Sequence, residues 1–420
     1  MLKSLTIEGY RSCAHTSLDL DTNLSVLIGA NGSGKTNILQ AILLLRKLVN
    51  LQPHRPNEPP GTINPKLTAV YRIGDYQLQM DARVEAYTSE SNNDIVTNVQ
   101  EKWTVDHKEN RTVLNVPLVV TIGKDIHEQF FMYASLIKGA DKSRKNMVQF
   151  MEDNPVQAIP LAIRAHLNNV AAFCKGIKYY GASQFTNPGS CAVSFEIDVD
   201  GAGTLYRSSR HEGHTRILYD MYRAYKKTDD PRFQQFLDVV GPQGVRLIDT
   251  VTFKEVETSA TEHLVRVGGN VEIKKRKRLL VIPQFRIGRL RISPNQLSEG
   301  TFKTLVLLFH VVTADSTALL IEEPEVCIHH GLLSSILELI KLYSRNKVVI
   351  ISTHSDFVLG SVDPENVHSV TYNRDEGTIV RHIRKTMSEQ EYDALRKYLR
   401  TEGNLGEYWR HGGLSDADTI

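Results

Sequence analysis

The sequence predicts an α/β fold whose core is split between the two ends of the chain, with an antiparallel β subdomain and a mainly helical insertion between them. Three observations carry this reading. The glycine-rich run GANGSGKT follows the strand-like LSVLI and opens an apolar-periodic helix. Far downstream, the apolar stretch ALLIEE runs into paired carboxylates and is followed by a helix and the strand KVVIIS. Between them lie alternating strand patterns and then helical periodicity.

Taken in order, a strand over Lys3 to Gly9 and another over Leu24 to Ile28 precede a helix from about Lys35 to Val49. LQPHRPNEPPGTINP then ends the helix, because proline lacks the N–H and clashes with the preceding turn. From Leu67 to about Ile122 the stretches LTAVYRI, YQLQMDARVEAY and VTNVQEKWTV alternate as an antiparallel sheet would. Helical periodicity runs from roughly Ile126 to Cys174, IKYYGAS reads as a strand, and a helix is expected around Thr204 to Lys227. HLVRVGGNVEIKK reads as a hairpin with a Gly-Gly turn. A loop carrying LSEG, a helix, the strand ALLIEE, a helix over Leu332 to Tyr343 and the strand KVVIIS complete the core. The expected domains are an N-terminal lobe over 1–124, a helical insertion or lid over 125–250 and a C-terminal lobe over 251–420.

A chain of 420 residues, 41% hydrophobic and 23% charged, can bury a large core and is not a disordered tail. Its formal net charge of +2 is close to balance, so any contact with nucleic acid has to come from local clusters. MLKSLTIEGYRS alternates as a strand and does not read as a signal peptide, and no segment has the ~20 consecutive apolar residues of a membrane span. A cytoplasmic protein without membrane contact is expected. The cysteines, Cys13, Cys174, Cys191 and Cys327, lack metal-ligand spacing and are expected to be free and buried.

GANGSGKT, Gly29 to Thr36, has the strand and helix context of a phosphate-binding loop. Its glycines let backbone N–H groups and a helix N-terminus approach an anion. Asn31, Gly32, Ser33, Gly34, Lys35, Thr36 and the following Asn37 are the expected nucleotide contacts. Lys35 would reach the β- and γ-phosphates of ATP and the Thr36 hydroxyl would ligate Mg2+. A buried parallel strand delivers its terminal carboxylates beside the phosphates, so Glu322 is the expected second Mg2+ ligand and Glu323 the base that positions or deprotonates the attacking water. Glu322 stands where Asp is commoner, which adds a methylene to the metal contact.

LSEGTFK at Leu297 to Lys303 precedes an apolar helix, and ISTHSDF places His354 after a strand. The order of phosphate loop, LSxG, acidic strand and strand-terminal histidine resembles the ABC-type ATPases. The resemblance implies that Ser298, Glu299 and Gly300 form a signature acting in trans on ATP held by a second subunit. It also implies that His354 contacts the γ-phosphate and that Glu325 to His329 lie across a dimer interface. LTIEGYRS with Arg11, IGANGSGKTNILQAI, LSEGT, IEEPEVCIHH and LGEYWRHGGL look like the RecF/OLD-type, SMC-related branch of AAA-family ATPases. In that branch Arg11 would approach the nucleotide; the alternative is a surface cation.

The Toprim nuclease domain fused to OLD proteins is not expected here, with Asp416 and Asp418 read as a frayed polar tail. HEGH at His211 to His214 lacks a third metal ligand and reads as solvent-facing helix. The basic runs KKRKR (Lys274 to Arg278) and FRIGRLR (Phe285 to Arg291) could neutralise phosphates or form a solvated hairpin edge. The expected function is an ATPase that forms a homodimer or higher oligomer through its nucleotide sites. It would sense or remodel DNA and control a separately encoded effector, a nuclease or toxin, in anti-phage defence. The alternatives are a RecF-like repair ATPase acting directly on DNA and a transporter ATPase subunit. Lys35→Ala is expected to abolish ATP binding with the fold intact; undiminished affinity by calorimetry would remove the phosphate-loop assignment.

Overall fold

A computed structural model describes residues 1–49, 64–88, 95–107, 110–121, 161–199, 213–265, 271–313, 316–345 and 347–413. The chain divides into two compact units, Met1–Tyr179 with Ser316–Glu322 and Ser344–Ile420, and Tyr180–Asp315 with Glu323–Tyr343.

In the first unit, β1 (Leu2–Tyr10) pairs antiparallel with β2 (Cys13–Asp19) and with β4 (Lys66–Ile73). β5 (Tyr76–Thr88), β6 (Ile95–His107) and β7 (Asn110–Thr121) extend the same sheet, in the order β2-β1-β4-β5-β6-β7. A second sheet of order β16-β15-β3-β14-β13-β8 contains β3 (Leu24–Ile28), β8 (Ile177–Gly181), β13 (Ala318–Glu322), β14 (Val348–Thr353), β15 (Val367–Asn373) and β16 (Gly377–His382). Its centre is parallel: β14 pairs with both β13 and β3, and β15 with β3. Every residue of β3 and β14 is buried, which explains why both read as unbroken apolar runs and not as alternating strands.

Helix α1 (Lys35–Val49) turns Ile38, Leu39, Ile42 and Leu45 into the core as its 3.6-residue period requires. That core also takes Leu5 and Ile7 of β1, Leu67 of β4, Leu320 of β13 and Val170 of α2 (Leu161–Lys175). Within it Tyr71 stacks on Trp103, ring centroids 6.4 Å apart, and meets Phe173 edge-on at 6.1 Å.

In the second unit, α3 (Gly213–Lys226) and α4 (Arg232–Val240) accompany a long hairpin, β10 (Thr250–Val265) with β11 (Val271–Ile287). β9 (Phe195–Val199) and β12 (Leu290–Ile292) also pair with β11, and α5 (Glu299–Thr313) and α6 (His330–Ser344) follow. Aromatic packing joins these elements: Tyr222 meets Phe253 at 5.5 Å and Phe236 meets Phe309 at 5.4 Å. The hairpin is longer than the sequence pattern suggested, and its expected Gly-Gly turn lies outside the described residues, as do 126–160 and 204–212 of the expected helices. The first unit closes with α7 (Asp356–Gly360), α8 (Ile383–Thr386), α9 (Glu389–Thr401) and α10 (Leu405–Arg410). No helix among the described residues is long and apolar enough to cross a membrane.

On β15, His368 is buried; its Nε2 lies 2.9 Å from the Asp19 carbonyl oxygen and its ring is 4.7 Å from that of His382. Burial, reinforced by His382, depresses its pKa to about 4 from the ordinary 6.5. The unfolded chain therefore binds a proton that the folded chain rejects, so this contribution is complete above pH 6.5 and is lost as pH falls towards 4. It corresponds to roughly 3 kcal/mol at most. The melting temperature is expected to fall across that window, and less steeply in His368→Gln; parallel profiles would remove His368 as the cause.

Candidate nucleotide site

The turn leaving β3 is shaped by what packs behind it. A side chain at Gly29 would place its Cβ 2.1 Å from the Val370 carbonyl oxygen of β15, and one at Gly34 would meet Thr378 Oγ1 of β16 at 2.0 Å. Gly32 and Gly34 also take φ of 84° and 102°, which L side chains avoid. Inside this turn Lys35 is only 7% exposed, and its Nζ donates to the carbonyls of Gly29 and Ala30 at 2.8 Å each. The ammonium is thus held within the loop whose N–H groups would face a phosphate. The Ser33 hydroxyl is buried with no hydrogen-bond partner among the described residues, which fits a loop built to receive one more acceptor.

Thr36 lies in the first turn of α1 and Glu322 ends β13, and the Thr36 hydroxyl donates a short hydrogen bond to Glu322 Oε1. The register explains the meeting. Glu322 is level with Ser352 of β14, and Ser352 with Leu27 of β3, so the acid and the loop share the carboxyl edge of the parallel strands. The other carboxylate oxygen accepts a short hydrogen bond from Tyr179 on β8. These oxygens suit Mg2+, which takes few protein ligands and completes its shell with water and phosphate. Among the described residues no trio of His, Cys, Asp and Glu forms a denser metal site.

Behind the loop, Thr378 Oγ1 lies 3.1 Å from the Ser33 carbonyl oxygen and 2.7 Å from Ser12 Oγ, to which Asn37 Nδ2 donates at 2.7 Å. Arg11, at φ 53°, donates to Asn37 Oδ1 at 3.4 Å. Asn37 thus reaches back to the β1–β2 turn, and Asn31 is exposed at the loop surface. His354 is exposed directly after β14, at the sheet edge that carries Glu322; Ser355 beside it caps α7.

The second unit carries the residues expected to form the signature. Ser298 is exposed and caps α5, accepting from the Thr301 N–H at 3.2 Å. Glu299 pairs with the buried Lys303 at 2.7 Å, which holds its carboxyl below the usual carboxylate range. Cys327 Sγ is 3.5 Å from Glu299 and 3.6 Å from Lys303 Nζ. A Cβ on Gly300 would lie 2.5 Å from the Cys327 carbonyl oxygen, so glycine permits a close approach there. Glu323 and Cys327 both take left-handed φ, 50° and 65°, a conformation that costs a non-glycine residue of order 1–3 kcal/mol and gathers at functional sites.

Two expectations are corrected. Cys13, Cys174 and Cys191 are buried, but Cys327 is exposed because its strained loop keeps it out of any core. His214 does not face solvent: it is half-buried, 5.3 Å from the ring of Phe302 and 6.1 Å from Phe185, since the first turn of α3 lies over those rings. His211, Glu212, Asp416 and Asp418 lie outside the described residues.

Tyr179 escaped the sequence reading because a tyrosine in IKYYGAS looks like any strand residue; only the pairing of β8 beside β13 gives it a role. Tyr179→Phe is expected to raise the Mg2+ concentration for half-maximal ATP turnover by ~10-fold, as loss of an outer-shell partner does. Nucleotide binding in EDTA should not change. An unaltered Mg2+ requirement would take Tyr179 out of the site.

Comparison with known families gives two matches: "AAA ATPase domain" over residues 1–152, and "AAA domain, putative AbiEii toxin, Type IV TA system" over 185–360. The DNA replication and repair protein RecF of Leptospira interrogans (serovar copenhageni, strain Fiocruz L1-130) is 50% identical over 44 residues, 10% of this chain and 12% of that protein. RecF of Rickettsia felis is 56% identical over 43 residues, with the same coverages of 10% and 12%. The chain thus spans 12% of the length of these relatives. RecF of Oenococcus oeni is 24% identical over 314 residues, 72% of this chain and 76% of that protein. Of the solved structures, the SmcHead bound to the C-winged helix domain of ScpA has a TM-score of 0.44 at 12% identity, covering 92% of this chain and 99% of that one. The SMC head domain from Thermotoga maritima has a TM-score of 0.36 at 12% identity, covering 91% and 98%. One AAA match falls on the stretch that contains the phosphate loop and the other on the stretch that ends with the acidic strand and His354, so both parts of the chain that carry expected site residues are similar to AAA ATPase domains.

Proposed function

We propose that this chain binds and hydrolyses ATP at a site completed by a second copy, and that ATP-dependent pairing of two copies is its output. The contact of Thr36 with Glu322, beside the buried Lys35, is the observation that carries this reading. Lys35 binds the β- and γ-phosphates, and Thr36 and Glu322 hold Mg2+, which withdraws charge from the phosphate oxygens when bound. Glu323 takes a proton from the attacking water as the γ-phosphoryl group parts from ADP, and His354 senses the γ-phosphate. Ser298, exposed at the start of α5, and the half-buried backbone around Gly300 supply the second copy's half of the clasp.

The finer biological reading is control of a separately encoded nuclease or toxin in anti-phage defence, with DNA as the sensed ligand. The toxin–antitoxin description of the second matching family supports it. Direct action on DNA in repair is the second reading, supported by the name of the RecF relatives. Residues 125–250, as an insertion that also lends Tyr179 to the nucleotide site, would carry partner choice. The neighbouring genes separate the two readings: a nuclease or toxin gene favours the first, replication genes the second.

Glu323→Gln is expected to bind ATP, to hydrolyse it ~10²–10⁴-fold more slowly, and to accumulate as an ATP-bound dimer, because the amide keeps the shape of the base without its basicity. Adding Ser298→Arg should return it to the monomer without preventing ATP binding. Size-exclusion chromatography with light scattering reads both. Wild-type turnover in Glu323→Gln would exclude Glu323 as the base, and subunit association that ignores ATP would exclude the clasp.

A further inference from the structure

The stretch LGEYWRHGGL opens with α10, which takes no part in the nucleotide chemistry above but packs on the residues that follow His354. His354 itself sits in a tight turn. The Ser355 N–H donates to Oγ1 of the buried Thr353 at 3.0 Å, and the Ser355 hydroxyl accepts from the Val358 N–H at 3.4 Å, capping α7. α7 has only five residues, and a helix so short does not hold its conformation by its own hydrogen bonds. Its support has to come from what packs on it.

α10 grips α7 at both ends. At the start of α7, a Cβ on Gly406 would lie 1.9 Å from the Asp356 carbonyl oxygen, so glycine is what lets the two backbones meet there. Arg410, the last residue of α10, donates to the Asp356 carboxylate. At the end of α7, a Cβ on Gly360 would lie 2.6 Å from Asn404 Oδ1, the atom that caps α10 by accepting from the Glu407 N–H at 3.0 Å. α10 is anchored in turn by Leu405, which is buried, and by Tyr408, whose ring lies 5.3 Å from that of Tyr398 on α9.

We propose that α10 is a clasp on the turn that carries His354, and that Arg410, acting through Asp356, is a positioning residue for that histidine, a role that rests on the reading of His354 as the group that meets the γ-phosphate. Asp356 stands two residues beyond His354 and takes both the Gly406 backbone contact and the Arg410 ion pair. The Arg410 and Asp356 side chains are 65% and 34% exposed, and a pair so open to water adds little to the stability of the whole fold. Its effect is local: it holds the first turn of α7, and with it the backbone of the histidine just before. A displacement of ~1 Å at a reacting centre costs up to ~10²-fold in rate. ADP has no γ-phosphate for the histidine to meet. The clasp therefore acts on turnover and on the preference for ATP over ADP, and not on nucleotide binding as such.

The test uses the full chain and measures kcat, the melting temperature, and affinity for ADP and for a non-hydrolysable ATP analogue by displacement of a fluorescent nucleotide. Arg410→Ala is expected to lower kcat ~10-fold and to narrow the preference for the ATP analogue over ADP, with ADP affinity and melting temperature at wild-type values. Arg410→Lys, which keeps the charge, should recover most of both. Gly406→Ala, which forces α10 off the Asp356 carbonyl, should repeat the Arg410→Ala pattern. The double variant His354→Ala with Arg410→Ala should be no worse than His354→Ala alone, because a positioning residue then has nothing left to position. Wild-type turnover and preference in Arg410→Ala overturn the proposal, as do losses that add to those of His354→Ala or a loss of ADP affinity in step with that for the ATP analogue. His354→Ala with wild-type turnover and preference removes the role of the histidine; an impaired His354→Ala beside a wild-type Arg410→Ala removes the clasp and leaves the histidine standing.

Discussion

The hydroxyl of Thr36 and the carboxylate of Glu322 stand 286 residues apart in the chain and touch in the fold. Nothing local brings them together. The parallel pairing of β3, β14 and β13 does so, by levelling the ends of three strands that the sequence keeps far apart. Because β14 lies between the other two, the phosphate loop and the acid meet across the end of a strand that itself delivers His354 to the same edge. A one-residue slip in either pairing would turn Glu322 to the opposite face of the sheet.

The phosphate loop is supported from behind as well as in front. The β15–β16 hairpin presses the Val370 carbonyl against Gly29 and the Thr378 hydroxyl against Gly34, so these glycines are demanded by packing as much as by phosphate. Ser12 and Asn37 tie the same region to the β1–β2 turn. Residues from early and late in the chain thus make one wall, a rigidity that suits a loop whose amides must be aligned before an anion arrives.

In the second unit, the LSEG start of α5 is fastened to the loop that follows the acidic strand. Lys303 is almost wholly buried and pairs with Glu299, while Cys327 lies against both and its backbone against Gly300. Removing one partner would leave a buried ammonium exposed to a desolvation cost it cannot recover. The strained φ values of Glu323 and Cys327 belong to this loop, which connects the end of the acidic strand to α6 within a few residues.

The sequence by itself determined the local chemistry: GANGSGKT between strand and helix, the acidic end of ALLIEE, the LSEG start of a helix, and most element types, with α1 falling on the expected residues Lys35–Val49. These features depend on near neighbours, through apolar period, glycine conformation and capping, so they can be read from a short stretch of chain. Tyr179 on Glu322, Thr378 behind Ser33, the seat of His214 against Phe302 and the exposure of Cys327 were decided only by the tertiary structure. Each depends on strand order or on contacts between residues distant in the chain, and a tyrosine, threonine, histidine or cysteine looks locally the same whether or not such a partner arrives.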